Sequence, residues 1–329
     1  MSGAESADWQ TVCRKKGAKN KIVSRMLLPV EPDGAADTCK HDCQNKEDDF
    51  NRILQKIHQT KEELKTSGLW DSCQNTIQEC FIKCLKQVKQ NPANATDETC
   101  VTERQCNLPE PGLQHVAQND SNKQVDHFWE GQNPSCVCYG VGQFSACVIS
   151  RYQLGFLLLM LEKLQIQKCH CHVFDPLFSG PEIEVLKTLG LSVILENEEG
   201  KRSIVSPTVF YMIHCGKALY NNLLWKNWSV DILSKVVIIG NSFQGFEQRL
   251  PSRIFLRDYA YISKVMKVTE ETAFPETARY EDIFNDTAIH WFPLPKLKEL
   301  HPGTWLLRDE PVYDEEEELE IIRNQSQRE

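Results

Sequence analysis

The sequence has no P-loop, no kinase signature and no paired-carboxylate hydrolase pattern. Those absences remove the commonest phosphate-transfer and glycoside-cleaving chemistries. Of its 14 cysteines none is followed by proline, so the Cys-Pro pair often seen in haem-responsive proteins is missing. Long apolar runs are missing too. The longest, Leu154 to Leu161, is far below the roughly 20 residues that a membrane-spanning helix needs. The first residues, Met1 to Trp9, are polar and acidic, so no secretory leader is expected. The expected location is the cytoplasm, with the nucleus as a second compartment, and the cysteines are expected as thiols rather than disulfides. Positive charge is in deficit: 37 Lys and Arg against 46 Asp and Glu give a formal net charge of −9. Neither nucleic acid nor a membrane is therefore expected as a main partner.

What is present has an order. Arg14, Lys15, Lys16, Lys19, Lys21 and Arg25 form a basic cluster, and Asp314 to Glu318 with Glu320 form an acidic one. Residues 1–46 are expected to be a disordered basic segment and residues 307–329 an acidic tail. A nuclear import or nucleic-acid patch is the sharper reading of the basic cluster. Phe50, Ile53, Leu54 and Ile57 share one helical face, and Trp70, Cys73, Ile77, Cys80, Cys84 and Val88 another. With Gly68 between them and Asn91-Pro92 after them, residues 47–91 read as a helical hairpin packing on the core. Cys39-x₃-Cys43 and Cys80-x₃-Cys84 match the spacing of twin CxxxC chaperones. The separation of the pairs is far too long for that fold, and the second pair lies on the core stripe. Residues 92–133 are poor in apolar side chains and read as a linker or loop.

The organising stretch is Pro134 to Ser145: a short apolar run, a Gly140-Val141-Gly142 turn, then an apolar helical segment. Strand, glycine turn and helix begin a cofactor-binding α/β domain. Further strands are expected at Cys169–Phe174, Leu191–Leu195, Thr208–Ile213, Lys235–Ile239, Ser263–Val268 and Ala288–Phe292, the last two closing the sheet as an antiparallel pair. The fold class is thus α/β: a Rossmann-like, doubly wound, mainly parallel sheet over residues 134–306. Five alternating units and a final pair give the outline of an S-adenosylmethionine-dependent methyltransferase.

Ligands of such sheets lie beyond the carboxyl ends of the strands. That rule selects Gly140, Gly142 and Ser145, then Asp175, then His214 and Cys215, then Asn241 and Ser242. Gly140, Gly142, Ser145, Asp175, Asn241 and Ser242 are the candidate cofactor-binding residues, with S-adenosylmethionine as the candidate cofactor. The glycine pattern is incomplete, because Ser145 stands where a dinucleotide fingerprint has a third glycine. A plain tight turn explains it equally. Asp175 suits a ribose hydroxyl but also precedes Pro176, where it would cap a turn. His214 beside Cys215 is a candidate base and nucleophile, although neighbours in sequence rarely reach one substrate atom. Cys169-His170-Cys171-His172 has metal-ligating residue types. On a strand, however, alternate residues face opposite ways. His170, His172, His214 and Cys215 form the candidate set for haem or a metal, with partly buried core residues as the plainer reading.

The motifs Cys138-Tyr139-Gly140-Val141-Gly142-Gln143-Phe144, Ser150-Arg151-Tyr152-Gln153-Leu154, Phe174-Asp175-Pro176, Tyr211-Met212-Ile213-His214-Cys215, Gly240-Asn241-Ser242-Phe243 and Phe284 to Phe292 follow one another in order. Together they resemble the "sensitivity to red light reduced" family, over about Pro134 to Phe292. Ile213 departs from it where proline is expected. The resemblance implies a regulatory protein without an assigned reaction. It implies roles in control of haem biosynthesis and of core clock gene expression, with protein partners in those systems. A methyltransferase-like enzyme and a haem or metal sensor are the alternatives.

Overall fold

The computed structural model describes residues 38–90 and 133–313, with side chains from residue 47 onward. Residues 1–37 of the expected basic segment, the linker over 92–132, the acidic run from Asp314 and the side chains of Cys39 and Cys43 lie outside the described residues. The chain divides into two compact units, Met1–Asn45 and Lys46–Glu329. Of the first, only the backbone that opens helix α1 is described. The second carries the rest of the hairpin and the whole sheet.

Helices α1 (Thr38–Lys65) and α2 (Gly68–Gln90) make a hairpin. At the corner, Ser67 Oγ donates to the Leu64 carbonyl at 2.6 Å and accepts from the Trp70 N–H at 3.2 Å, which satisfies an N-terminal donor of α2. The three- and four-residue stripe on α2 is buried from Leu69 to Val88. The Trp70 ring meets Phe156 edge-on at 5.3 Å. Gln87 fixes the far end by donating to the Ser234 and Phe292 carbonyls, at 2.6 and 3.0 Å, and accepting from the Leu294 N–H at 2.8 Å. All are polar groups that burial would otherwise leave unpaired.

The sheet has seven strands: β1 (Ser135–Tyr139), β2 (Cys171–Phe174), β3 (Ser192–Val193), β4 (Thr208–Met212), β5 (Val236–Asn241), β6 (Glu270–Ala273) and β7 (Thr287–Trp291). Their order is β3-β2-β1-β4-β5-β7-β6. The first five run parallel, and β7 is antiparallel to both β5 and β6. This is the expected mainly parallel α/β class with a closing antiparallel pair.

Alternation along the strands splits the core in two. Cys136, Cys138, Val209, Tyr211, Val237 and Ile239 face one cluster with α1, α2, α3 (Val148–Lys163) and α4 (Gly180–Thr188). Val137, Tyr139, Phe210, Met212, Val236 and Ile238 face the other, with α5 (Lys217–Lys226), α6 (Val230–Leu233) and the short helices after β5. Both faces are covered, so the central strands read as unbroken apolar runs.

Three expectations need correction. Ser263–Val268 is not a strand: its first residues end helix α9 (Ala260–Val265), and a 3₁₀ turn over Met266–Val268 comes next. Its β-branched residues suggested extension, but Tyr261, Ile262 and Val265 bury at helical spacing. Asn221 Oδ1 also accepts from the Tyr261 and Ile262 N–H groups, at 3.0 and 3.3 Å, and so starts the helix. The edge strand is instead Glu270–Ala273, whose charged, half-exposed sequence carries no apolar alternation, as suits a sheet edge. Cys169 and His170 sit in a 3₁₀ turn ahead of β2. The third strand shortens to Ser192–Val193, leaving Leu195 exposed.

The chain stays docked past Leu306. Tyr313 Oη lies 3.0 Å from the Asn221 amide, and Arg308 donates to the Trp228 carbonyl at 3.0 Å. Among the described residues no helix is long and apolar enough to cross a membrane.

Candidate functional site

A cavity of about 210 Å³ opens at the carboxyl ends of β1, β2 and β4. Gly140, Asp175, His214 and Cys215 line it, so four of the candidates chosen from the sequence meet there. Tyr139, Phe174, Asn197, Gly200 and Leu219 line it as well. Gly200 is reached through a left-handed pair, Glu199 at φ 52° and Gly200 at φ 77°. A β-carbon on Gly200 would stand 2.6 Å from the Leu219 carbonyl oxygen. An Asn-Glu-Glu-Gly turn was the only sequence sign of this wall.

The glycine turn owes its residues to shape. Gly140 and Gly142 have φ of 74° and 77°, which side-chain-bearing residues rarely adopt. A β-carbon on Gly140 would lie 2.7 Å from Cys215 Sγ, and one on Gly142 2.7 Å from Ser150 Oγ. Asp175 both lines the cavity and braces the turn. Its Oδ2 accepts from the Gly142 N–H at 2.7 Å and its Oδ1 from the Leu177 N–H at 2.8 Å. Burial raises its pKa, the two N–H donors oppose that, and nearby Glu182 adds to the rise. Gly142 and Ser145 are not on the cavity wall.

Cys215 is brought to the cavity but is not activated there. Its thiol is buried, donates to the Tyr139 carbonyl at 3.3 Å, and has a pKa pushed up to about 12 by burial. The thiolate is the reactive form, so this group behaves as an inert core thiol. His214 has a different character. It is one of four non-glycine residues with positive φ among the described residues, at 57°, a conformation that costs free energy and clusters at functional sites. Its Nε2 lies 2.7 Å from Asn285 Oδ1 and its Nδ1 3.3 Å from Gln153 Nε2. An amide oxygen only accepts and an amide NH₂ only donates, so the ring is held as the Nε2–H tautomer. Gln153, His214 and Asn285 come from three separate sequence motifs. The last two motifs meet only because β4 and β7 flank β5.

Asn241 and Ser242 serve elsewhere. Asn241 is tied through its N–H and Oδ1 to the Tyr220 hydroxyl, at 2.8 and 2.9 Å. Ser242 caps the helix α7 (Phe243–Arg249), accepting from the Gly245 N–H at 2.9 Å. It also lines a second cavity of about 620 Å³ with Tyr280, Asn285 and Asp286. The hydrogen bond from His214 to Asn285 thus joins the walls of the two cavities.

The residues proposed for haem or a metal are dispersed. His170 is in the 3₁₀ turn, His172 is on β2, and His214 has both ring nitrogens engaged. Among the described residues no three His, Cys, Asp or Glu side chains gather where they could hold a metal ion. The first cavity is also smaller than the roughly 300–1,000 Å³ typical of sites for drug-sized ligands. A haem macrocycle does not fit these residues.

The SRR1 domain matches residues 118–291, which end with β7. An SRR1-like protein of Mus musculus is 46% identical over 266 residues, covering 80% of this chain and 96% of its own. The Arabidopsis thaliana protein SENSITIVITY TO RED LIGHT REDUCED 1 is 36% identical over 159 residues, covering 47% of this chain and 58% of its own. An SRR1-like protein of Drosophila melanogaster is 27% identical over 183 residues, with 56% and 64% covered. No solved structure matches. The motifs that build the cavity wall lie within the matched region, and the chain belongs to the SRR1 family.

Proposed function

We propose that this chain is a regulatory protein whose cavity at the carboxyl ends of β1, β2 and β4 binds a small ligand without turning it over. Its expected sphere is control of haem biosynthesis and of core clock gene expression, in the cytoplasm and the nucleus. The observation that carries the reading is the state of the cavity groups. The Cys215 thiol is inert, the His214 nitrogens are both engaged, and Asp175 is spent on the glycine turn. Such a wall recognises a molecule more readily than it transforms one. The light-response name of the Arabidopsis relative supports a signalling role.

The test uses Leu177, which lines the cavity and is 56% exposed, so that its replacement spares the fold. Cells lacking the chain are supplied with the wild type or with Leu177→Trp, and haem content and the rhythm of clock transcripts are measured. Rescue by the wild type alone supports the reading; equal rescue by both discards the cavity, and rescue by neither discards the haem and clock roles.

A second reading is a methyltransferase-like enzyme. It is favoured by the five parallel strands with a final antiparallel pair. Gly140 and Asp175 would hold the cofactor, which would supply a methyl group to an acceptor. Calorimetric titration of the full chain with S-adenosylmethionine tests it. Micromolar binding lost in Leu177→Trp, together with release of S-adenosylhomocysteine, would favour the enzyme, and absence of heat would remove this cofactor.

A further inference from the structure

In strand–turn–helix folds the first turn holds a phosphate with backbone N–H groups left free at the start of the helix. Here the N–H groups of the turn itself are already used within the chain. Gly140 N–H donates to the Phe174 carbonyl at 3.1 Å and Cys147 N–H to the Gln143 carbonyl at 2.8 Å. Gly142 N–H is taken by Asp175 at 2.7 Å, and Ser145 N–H by Glu182 Oε1 at 2.9 Å.

Glu182 is an unusual occupant. It is fully buried, and its Oε2 accepts from both the N–H and the hydroxyl of Ser179, at 2.9 and 2.7 Å, in the capping box of α4. Burial raises its pKa, but the hydrogen bonds from Ser145 and Ser179 outweigh that and lower it, so it stands as a fixed anion. Two N–H groups of the turn that could face a phosphate are therefore taken by the chain's own carboxylates. Arg151, the nearest cation in sequence, is turned onto the Phe144 and Ser145 carbonyls, at 3.2 and 3.1 Å. Among the described residues no Lys or Arg lines the cavity, whose wall includes Phe174, Pro176, Leu177 and Leu219, with Asp175, Asn197 and His214 as polar points. Its volume of about 210 Å³ suits one heterocycle rather than a dinucleotide.

We propose that the ligand of this cavity is a phosphate-free nucleoside-type molecule, neutral or cationic, and that the Asp175 and Glu182 carboxylates on the glycine turn exclude its phosphorylated counterparts. This rests on the reading that the cavity binds a small molecule. The experiment is calorimetry on the full chain with the four common ribonucleosides, their 5′-monophosphates, S-adenosylmethionine and NAD⁺. A nucleoside or S-adenosylmethionine should bind, with any matching phosphorylated compound at least about tenfold weaker. Equal or tighter binding of a monophosphate or of NAD⁺ overturns the exclusion and leaves the cavity reading standing. Silence from the whole panel overturns the nucleoside assignment, and the Leu177→Trp rescue then decides separately whether the cavity matters. In Glu182→Gln the preference for the unphosphorylated ligand should shrink several-fold; Asp175→Asn serves if the first variant does not fold. A preference unchanged in the folded variant also overturns the proposal.

Discussion

On the hairpin side of the sheet, Trp70, Ile77, Phe81, Phe156 and Leu157 fill the space with apolar side chains. At the carboxyl-end rim, Gly140, Gly142, Glu199, Gly200, His214 and Asp286 all take left-handed backbone, and hydrogen bonds rather than packing hold the loops apart. Each large buried side chain on that face contributes roughly 1.5–3 kcal/mol by leaving water. The rim accepts strained residues and keeps a cavity open. Stability concentrates on the first region, and strain is stored at the second.

The sharpest way to break this contrast is to remove the hairpin. A chain starting at residue 91 would expose the apolar residues of α3 that α1 and α2 cover, among them Phe156 and Leu157. It should aggregate, as size-exclusion chromatography would register. A soluble monomer with a cooperative melt would show that the face does not need its cover.

At the rim, Gly140→Val forces a side chain onto φ 74° and into Cys215. It should cost about 1–3 kcal/mol by urea unfolding, less than loss of the hairpin. An unchanged midpoint would mean that the rim is more pliable than its geometry says.

Acid titration separates the two carboxylates of the turn. Glu182 has a folded pKa below its ordinary value, so its charge contributes stability above the usual carboxylate range, and that contribution fades as pH falls through the lowered value. The stability gap between wild type and Glu182→Gln should therefore be larger near neutral pH than at about pH 3. A gap that widens in acid would contradict the assignment. Asp175 has the opposite sign, because its pKa is raised and its stability contribution falls as pH rises.

The smallest effect belongs to His214. Glycine accepts its φ without strain and alanine does not, so His214→Gly should be more stable than His214→Ala by about 1 kcal/mol. Both would lose the hydrogen bonds to Asn285 and Gln153, so thermal melts of the two variants isolate the backbone term. Equal melting points would indicate that the loop relaxes.

Much of this was legible in the sequence. The apolar run before Gly140, the stripe on α2 and the unbroken Val236–Ile239 run each encode burial through local spacing. Asp175 and His214 were found because parallel strands direct their carboxyl ends to a common crevice. Other features carried no local signal. Glu270–Ala273 is a strand only because β7 offers it a partner, and Ser263–Val265 is helical because Asn221 caps its start. Asn285 becomes a partner of His214 across 71 positions of sequence.

By itself the sequence determined which segments are apolar, where the chain turns through glycine, and hence the alternation of strand and helix. Those are properties of neighbouring residues. Only the tertiary structure decided that the donors of the glycine turn are spent on Asp175 and Glu182, that Cys215 is inert, and that Asn241 and Ser242 leave the first cavity. Burial, hydrogen-bond partnership and charge proximity arise between residues far apart in the chain, and spacing along it does not record them.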